Sequence, residues 1–234
     1  MKYKAVLFDL DGTLLHMDQN LFTKEYVKRL FETILPLGSD PVTLKTAFNA
    51  GVAAMLKNDG SQSNADAYWS AFGEIVGGDM SQYIALTDSF YDGKYLELKS
   101  ITRENPSALA CIKALRERGV ILVLATQPVF PRVAQVNRLS WSGVTEEYFD
   151  YITDYESNKY CKPNPNYYRG ICERIGVSPS ECLMVGNDTY DDMKGASEAG
   201  LDCYLATDCL IENEKYLWQG ERGSFSGLLK KFDI

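Results

Sequence analysis

The residues with the clearest chemical potential in this sequence are two carboxylates, Asp9 and Asp11, close to the N-terminus. Asp9 ends the apolar run KAVLFD. Asp11 stands two residues later, in the segment LDGTL, and Gly12 follows it. An apolar run that ends in acid is typical of a buried strand reaching the edge of a sheet, where open α/β sheets bind ligands. Gly12 predicts a turn at that point. Carboxylates in such a place can hold a cation, attack an electrophile or move a proton.

Three further polar residues stand where a predicted strand ends or a helix begins. Thr126 follows the apolar run VILVLA, Lys162 directly precedes the segment PNP, and Asp188 follows LMVG and an asparagine. Each of them alone is an ordinary loop or surface residue. With the first acidic pair they place two carboxylates, a hydroxyl, a lysine and a second acidic cluster, in that order, at predicted sheet edges. This succession indicates a single site.

The chain that must position these residues shows two different patterns. Five short apolar runs predict buried parallel strands at residues 4–9, 120–125, 151–153, 182–186 and 202–206. Helical patterns alternate with them, as in an α/β domain with a parallel sheet, and Val133 and Val136 are expected to face the core from one such helix. Residues 17–100 contain no strand-like run and show helical spacing throughout. We therefore predict a core domain of residues 1–16 and 101–234 with an inserted all-helical domain of residues 17–100.

These motifs closely resemble those of the haloacid dehalogenase-like (HAD) hydrolases, and the resemblance covers the whole chain. The matching positions are Asp9, Asp11 and Thr13 for the family's DxDx(T/V) motif, Thr126 for its Ser/Thr, Lys162 for its lysine and residues 186–192 for its acidic motif. The resemblance implies a three-layer, Rossmann-like parallel sheet with an alpha-helical cap. The family's DxxxD spacing fits Asp188 with Asp192, and we prefer Asp188 to Asn187 as a metal ligand because a carboxylate binds Mg²⁺ better than an amide does. Whether Asn187 or Asp192 also supports the metal stays open.

The chemistry that the resemblance implies is a magnesium-dependent displacement at phosphorus. Mg²⁺ would be held by Asp9, by Asp188 and by the backbone carbonyl of Asp11, and would neutralise part of the phosphoryl charge. Asp9 would attack phosphorus to give an aspartyl-phosphate, while Asp11 would protonate the leaving alcohol and later deprotonate water. Lys162 and the Thr126 hydroxyl would hold the phosphoryl oxygens, and backbone N–H groups of Asp11 and the following glycine would add donors.

The acid at position 11 limits which of the family's activities this chain can have. Dehalogenases and phosphonatases of the family lack an acid there, and its transport ATPases need membrane spans. The prediction is therefore a Mg²⁺-dependent phosphatase that hydrolyses a small-molecule phosphomonoester, with a small phosphorylated metabolite as its partner. A sugar-phosphate mutase of the same family and a non-catalytic phosphate-sensing or protein-binding module remain the alternatives.

Composition excludes several other classes of protein. With 24 basic and 32 acidic residues in 234, the formal charge of −8 argues against nucleic acid or an anionic membrane surface as partner. A single histidine, His16, excludes a histidine-based zinc cluster, and none of the six cysteines belongs to a CxxC pair. No apolar run approaches the roughly 18 residues of a membrane span, and the first residues do not resemble a signal peptide. We expect a cytoplasmic monomer or homodimer.

Overall fold

A six-stranded sheet organises the computed structural model, which describes residues 2–234. In chain order the strands are β1 (Ala5–Phe8), β2 (Leu15–Met17), β3 (Thr102–Glu104), β4 (Ile121–Leu124), β5 (Tyr151–Ile152), β6 (Cys182–Gly186), β7 (Asp202–Ala206) and β8 (Arg222–Gly223). The sheet has the order β5-β4-β1-β6-β7-β8, and every neighbouring pair in it is parallel. The predicted α/β class with a parallel sheet is therefore confirmed. All four residues of β1 are buried between β4 and β6, as their uninterrupted apolar sequence predicts.

Helices cover both faces of this sheet. In chain order they are α1 (Gln19–Ile34), α2 (Pro41–Leu56), α3 (Asn64–Val76), α4 (Met80–Tyr91), α5 (Ala108–Glu117), α6 (Arg132–Trp141), α7 (Pro165–Ile175), α8 (Gly195–Ala199) and α9 (Phe225–Lys231). Val6 and Phe8 of β1 pack with α5, α6 and α9, whereas Ala5 and Leu7 pack with α7 and α8. The three layers confirm the Rossmann-like core. Within residues 2–234, no helix is both long enough and apolar enough to cross a membrane.

The segment between β2 and β3, called the helical segment below, contains α1 to α4 and a 3₁₀ stretch, Lys94–Ile101. Each α-helix in it begins at a residue whose side chain accepts N–H bonds from the first turn. These residues are Asp18, Asp40, Ser63 and Asp79. Such capping satisfies backbone donors that a helix start leaves free. The helical content agrees with the expectation for residues 17–100, and the division into two domains at those bounds stays a prediction.

An antiparallel two-stranded ribbon joins the sheet to the helical segment. In it β2 pairs with β3, with His16 opposite Arg103. The sequence patterns do not predict this ribbon, because strands of three residues are too short to show a clear alternation. The expected orientation of α6 is also wrong in part. Val133 is 40% exposed, and the helix turns Gln135 and Arg138 to the interior instead.

Candidate active site

The predicted site residues lie where three adjacent strands end. Asp9 follows β1, Thr126 follows β4 and Asp188 follows β6, while Lys162 comes from the loop between β5 and α7. Together with Asp11 they line one cavity of about 70 Å³. The structure thus brings all five residues together at the carboxyl edge of the sheet, where crossovers leave a crevice. Their catalytic and metal-binding roles stay predictions.

Lys162 forms two buried ion pairs. Its Nζ lies 2.7 Å from Oδ1 of Asp9 and 2.6 Å from Oδ1 of Asp192. Burial lowers the pKa of Lys162, but the carboxylates of Asp192 and Asp9 outweigh burial and hold that pKa well above its usual value. The other oxygen of Asp192 accepts backbone N–H bonds of 3.0 Å from Asn187 and Asp188. Asp192 therefore holds Lys162 and the start of the turn after β6 in place.

Asn187 connects the loop after β1 to the loop after β6. Its Oδ1 accepts a 3.2 Å bond from the Thr13 hydroxyl, and its Nδ2 donates a 2.7 Å bond to the carbonyl of Cys209. Gly12 packs against this amide with a φ of +94°, and a Cβ built on Gly12 would lie 2.2 Å from Nδ2. Glycine suits both the left-handed backbone and the close approach. These contacts place the Asn187 amide in a structural role.

Asp188 accepts hydrogen bonds from the start of the turn that follows β6. Its Oδ1 accepts backbone N–H bonds from Tyr190 (2.7 Å) and Asp191 (2.9 Å), which leaves Oδ2 for another ligand. Beside it, Nε2 of Gln127 lies 3.3 Å from Oδ2 of Asp191. Burial, together with the carboxylates of Asp188 and Asp192, raises the pKa of Asp191 to about 6. The second acidic cluster is therefore partly buried and rich in negative charge.

Asp11 meets a guanidinium that the sequence motifs do not reveal. Arg138 on α6 is fully buried, and its Nε lies 3.3 Å from Oδ1 of Asp11, whose side chain is 20% exposed. Among the described residues, neither this oxygen nor Nε and Nη1 of Arg138 has a hydrogen-bond partner. The guanidinium bonds to Oε1 of Gln135, and its carbon lies 4.1 Å from the ring centre of Phe130. Burial raises the pKa of Asp11, and the charge of Arg138 opposes that rise.

The backbone beside Asp11 departs from one expectation. The N–H of Gly12 donates a 2.7 Å bond to the carbonyl of Leu15, so the expectation that it adds a phosphate donor is wrong. A tight turn satisfies its own backbone groups in this way. The carbonyl of Asp11 accepts a 2.5 Å bond from Nε2 of Gln19, the first residue of α1. The helical segment thus contributes a side chain to the site.

The charges in the cavity suit a divalent cation. Five carboxylates line it, and Lys162 is the one basic residue among the described lining residues. Burial raises the pKa of Asp9 to about 7, with the Asp192 and Asp11 carboxylates adding to the rise and Lys162 opposing it. Mg²⁺ takes oxygen ligands, so Asp9, Asp188 and the Asp11 carbonyl fit that ion.

Three residues at the site escape the sequence motifs: Gln19, Gln127 and Arg138. Spacing provides no signal for Arg138, because its burial with Ala134 and Gln135 on one side of α6 is visible only in the structure. A charged residue at a buried helical position needs a partner of opposite charge. The glutamines carry no signal in the sequence either, since their roles depend on where the loops meet.

Several known proteins resemble this chain. The family model of the haloacid dehalogenase-like hydrolases matches residues 3–200. A glyceraldehyde 3-phosphate phosphatase of Methanothermobacter thermautotrophicus is 24% identical over 91% of this chain and 89% of its own length. A phosphoglycolate phosphatase of Nitrosospira multiformis is 28% identical over 84% of this chain and 80% of its own length.

Solved structures share the fold at lower identity. The HAD hydrolase YfnB of Bacillus subtilis, in a magnesium-bound crystal form, superposes with a TM-score of 0.60 and 21% identity over 100% of both chains. That likeness concerns the architecture alone. The family model, in contrast, spans the sequence from before β1 to the end of α8, and therefore includes each strand end that supplies a site residue. This chain accordingly belongs to the haloacid dehalogenase-like hydrolase family of enzymes.

Proposed function

We propose that this protein is a Mg²⁺-dependent phosphatase that hydrolyses a small phosphomonoester through an aspartyl-phosphate on Asp9. The observation that carries the proposal is the buried Lys162–Asp9 ion pair, which shares one cavity with the side chains of Asp11 and Asp188. The two relatives named above are phosphatases of small phosphorylated compounds, which supports the reaction class.

Asp9 is the nucleophile in this mechanism. One of its oxygens lies 2.7 Å from Nζ of Lys162 and the other lies 3.3 Å from the Thr13 hydroxyl, so its carboxylate has a defined orientation. An Asp9 oxygen attacks phosphorus as the bond to the leaving oxygen breaks. An ammonium has three N–H donors, and Lys162 uses two of them on Asp9 and Asp192. The third donor and the hydroxyl of Thr126 bind the phosphoryl oxygens.

Asp11 transfers the protons. Its Oδ1 is buried beside Arg138, so Oδ2 is the oxygen that reaches the leaving group. Oδ2 gives a proton to the leaving alcohol and then takes one from the water that attacks the aspartyl-phosphate. That second step breaks the bond between phosphorus and Asp9, releases inorganic phosphate and restores both carboxyl groups. Arg138 stabilises the negative charge of Asp11 between the two transfers.

The residues that fit a magnesium ion are Asp9, Asp188 and the backbone carbonyl of Asp11. Bound there, Mg²⁺ supplies neutralisation of the phosphoryl charge. The magnesium-bound form of YfnB supports the choice of ion through the shared fold. The five carboxylates that line the cavity also favour a divalent cation, because they concentrate negative charge there.

Turnover of 4-nitrophenyl phosphate and an alkyl phosphate, with Mg²⁺ or with a chelator, tests this function. We expect turnover that needs Mg²⁺, background rates for Asp9→Asn, and normal rates for Asp92→Asn, a matched change at the exposed end of α4. Asp11→Asn should lose roughly 10²–10⁴-fold on the alkyl ester, and less on the nitrophenyl ester, whose leaving group needs little protonation. Activity of Asp9→Asn would contradict the mechanism. No turnover of any phosphomonoester would favour the non-catalytic module.

A further inference from the structure

A second cavity lies between the helical segment and the loops that follow β4 and β5. It measures about 200 Å³, and it is walled by α1 to α4 on one side and by Phe130 and Tyr155 on the other. The described residues that line it are aromatic, aliphatic or threonine, and none of them is charged. An apolar cavity of about 150 Å³ accepts benzene, so this one has room for an aromatic ring with a small substituent.

Two stretches of chain lead from the acidic site to this apolar cavity. On α1, Gln19 lines the acidic site, and Thr23, about one helical turn later, lines the apolar cavity. After β4, Gln127 lines the acidic site and Phe130 lines the apolar cavity. One helical turn rises about 5.4 Å, so the linings of the two cavities come close together along α1.

The apolar cavity lies on the side of Asp11. Arg138 connects the two, because its Nε is 3.3 Å from Oδ1 of Asp11 and its guanidinium carbon is 4.1 Å from the ring centre of Phe130. The ring of Tyr26 lies beyond, with its centre 5.0 Å from that of Phe130. In the proposed reaction Asp11 protonates the leaving oxygen. A leaving group that extended from phosphorus past Asp11 on the side of Arg138 would point towards Phe130 and Tyr26.

We propose that the apolar cavity binds the leaving group, and that the substrate is a phosphomonoester of an uncharged aromatic or branched aliphatic alcohol. This inference rests on the proposed phosphatase function. Aromatic walls favour such a group through burial of its apolar surface and through edge-to-face ring contacts. The ring pairs Tyr26–Phe130 and Tyr68–Trp69 already stand edge to face in the lining.

Charged leaving groups do not suit this cavity. The hydroxyls of Tyr26 and Tyr91 lie 2.9 Å apart and bond to each other. Burial raises the pKa of Tyr26 and of Tyr155 to about 12, so both side chains are neutral near pH 7. A carboxylate or a second phosphate would lose its hydration here without meeting a cation among the described lining residues, and the neighbouring Arg138 is already paired with Asp11. The cavity thus disfavours phosphoglycolate, the substrate named for one relative.

The test compares methyl, benzyl and 4-carboxybenzyl phosphate with the Mg²⁺-loaded protein. Burial of one phenyl ring should make kcat/KM for benzyl phosphate roughly ten- to a hundredfold higher than for methyl phosphate. The added carboxylate should remove most of that gain. Binding of benzylphosphonate and methylphosphonate, measured by calorimetry in Mg²⁺, gives the same comparison without turnover.

A pair of matched variants on α2 locates the effect. Val52 lines the cavity, whereas Val42 is 75% exposed in the first turn of the same helix. Val52→Phe should lower the benzyl-to-methyl ratio of kcat/KM by about tenfold or more because the new ring fills the cavity, and Val42→Phe should leave that ratio unchanged. Thermal unfolding of both variants confirms that they are folded.

The outcomes separate this inference from the phosphatase function. Magnesium-dependent turnover with no preference for the benzyl ester would overturn the inference and leave the phosphatase function intact. No turnover of any ester, with benzylphosphonate still bound more tightly than methylphosphonate and weakened by Val52→Phe, would support the apolar subsite and overturn catalysis. Equal binding of the two phosphonates without turnover would overturn both.

Discussion

Replacing Asp11 by asparagine should destabilise the fold as well as slow the reaction, because Arg138 depends on that carboxylate. The guanidinium is fully buried, and Asp11 is its partner in the one ion pair that it forms within residues 2–234. After Asp11→Asn the positive charge keeps its bond to Gln135 and its contact with Phe130. Arg138 nevertheless loses the charge that compensates its own.

The size of this effect follows from two opposing contributions. Breaking a buried ion pair from one side costs about 3–5 kcal/mol. The side chain of Asp11 is 20% exposed, and its separation of 3.3 Å from Arg138 lacks hydrogen-bond geometry, so this pair is weaker than a fully buried one. We therefore expect a loss of about 2–3 kcal/mol in the free energy of unfolding. For a chain of this size, the Tm should fall by roughly 4–12 °C.

Urea unfolding of a double-mutant cycle measures this coupling in metal-free protein. The cycle comprises Asp11→Asn, Arg138→Met and their combination, and the double variant should be no less stable than Arg138→Met alone. Asp9→Asn is the matched control, because Lys162 keeps its 2.6 Å contact with Asp192 when Asp9 loses its charge. Additive losses within about 0.5 kcal/mol would refute the pairing of Asp11 with Arg138. Equal destabilisation by Asp9→Asn would refute the contrast between the two acids.

Three further changes test other parts of the structure. Lys162→Met should cost about 3–5 kcal/mol in urea unfolding and abolish turnover, because it leaves two buried carboxylates without their cation; wild-type stability would contradict the ion pairs. Gly12→Ala should lower the Tm and the turnover rate, since its Cβ would meet the Asn187 amide at 2.2 Å from a backbone at φ +94°; an unchanged Tm would contradict the close approach. Burial lowers the pKa of His16 below its usual 6.5, so the unfolded chain binds its proton first and the contribution of His16 to stability should fall as pH drops below 6.5. Denaturant midpoints of His16→Gln should therefore fall less, or rise more, than those of the wild type below pH 6.5, and an identical pH dependence would contradict the burial.

The parts of the fold that the sequence predicts are those with long local signals. The strand runs around Ala5–Phe8 and Cys182–Gly186 are apolar throughout because both of their faces are covered, and acid follows each of them within a few residues. The ribbon of β2 and β3 leaves no such signal, since its two strands are three residues long and about 85 residues apart in the chain. Their pairing depends on the fold as a whole.

The site, too, contains residues that can be predicted from the sequence and residues that cannot. The placement of Asp9, Thr126 and Asp188 can be predicted because strand ends meet at one edge of a parallel sheet. Spacing does not predict that Asp192 faces Lys162. That contact depends on how the turn after β6 folds back on the site. Nor does spacing predict Arg138, because the apolar valines of α6 suggest a different buried side from the one observed.

Arg138 is the point at which the two cavities influence one another. Its Nε stands beside the predicted acid, Asp11, and its guanidinium carbon lies 4.1 Å from the ring centre of Phe130, which lines the apolar cavity. A leaving group that fills the cavity excludes water from around Phe130, and a lower local dielectric strengthens the attraction between Arg138 and Asp11. Occupancy of the apolar cavity and the charge state of the acid are therefore coupled through one buried side chain of α6.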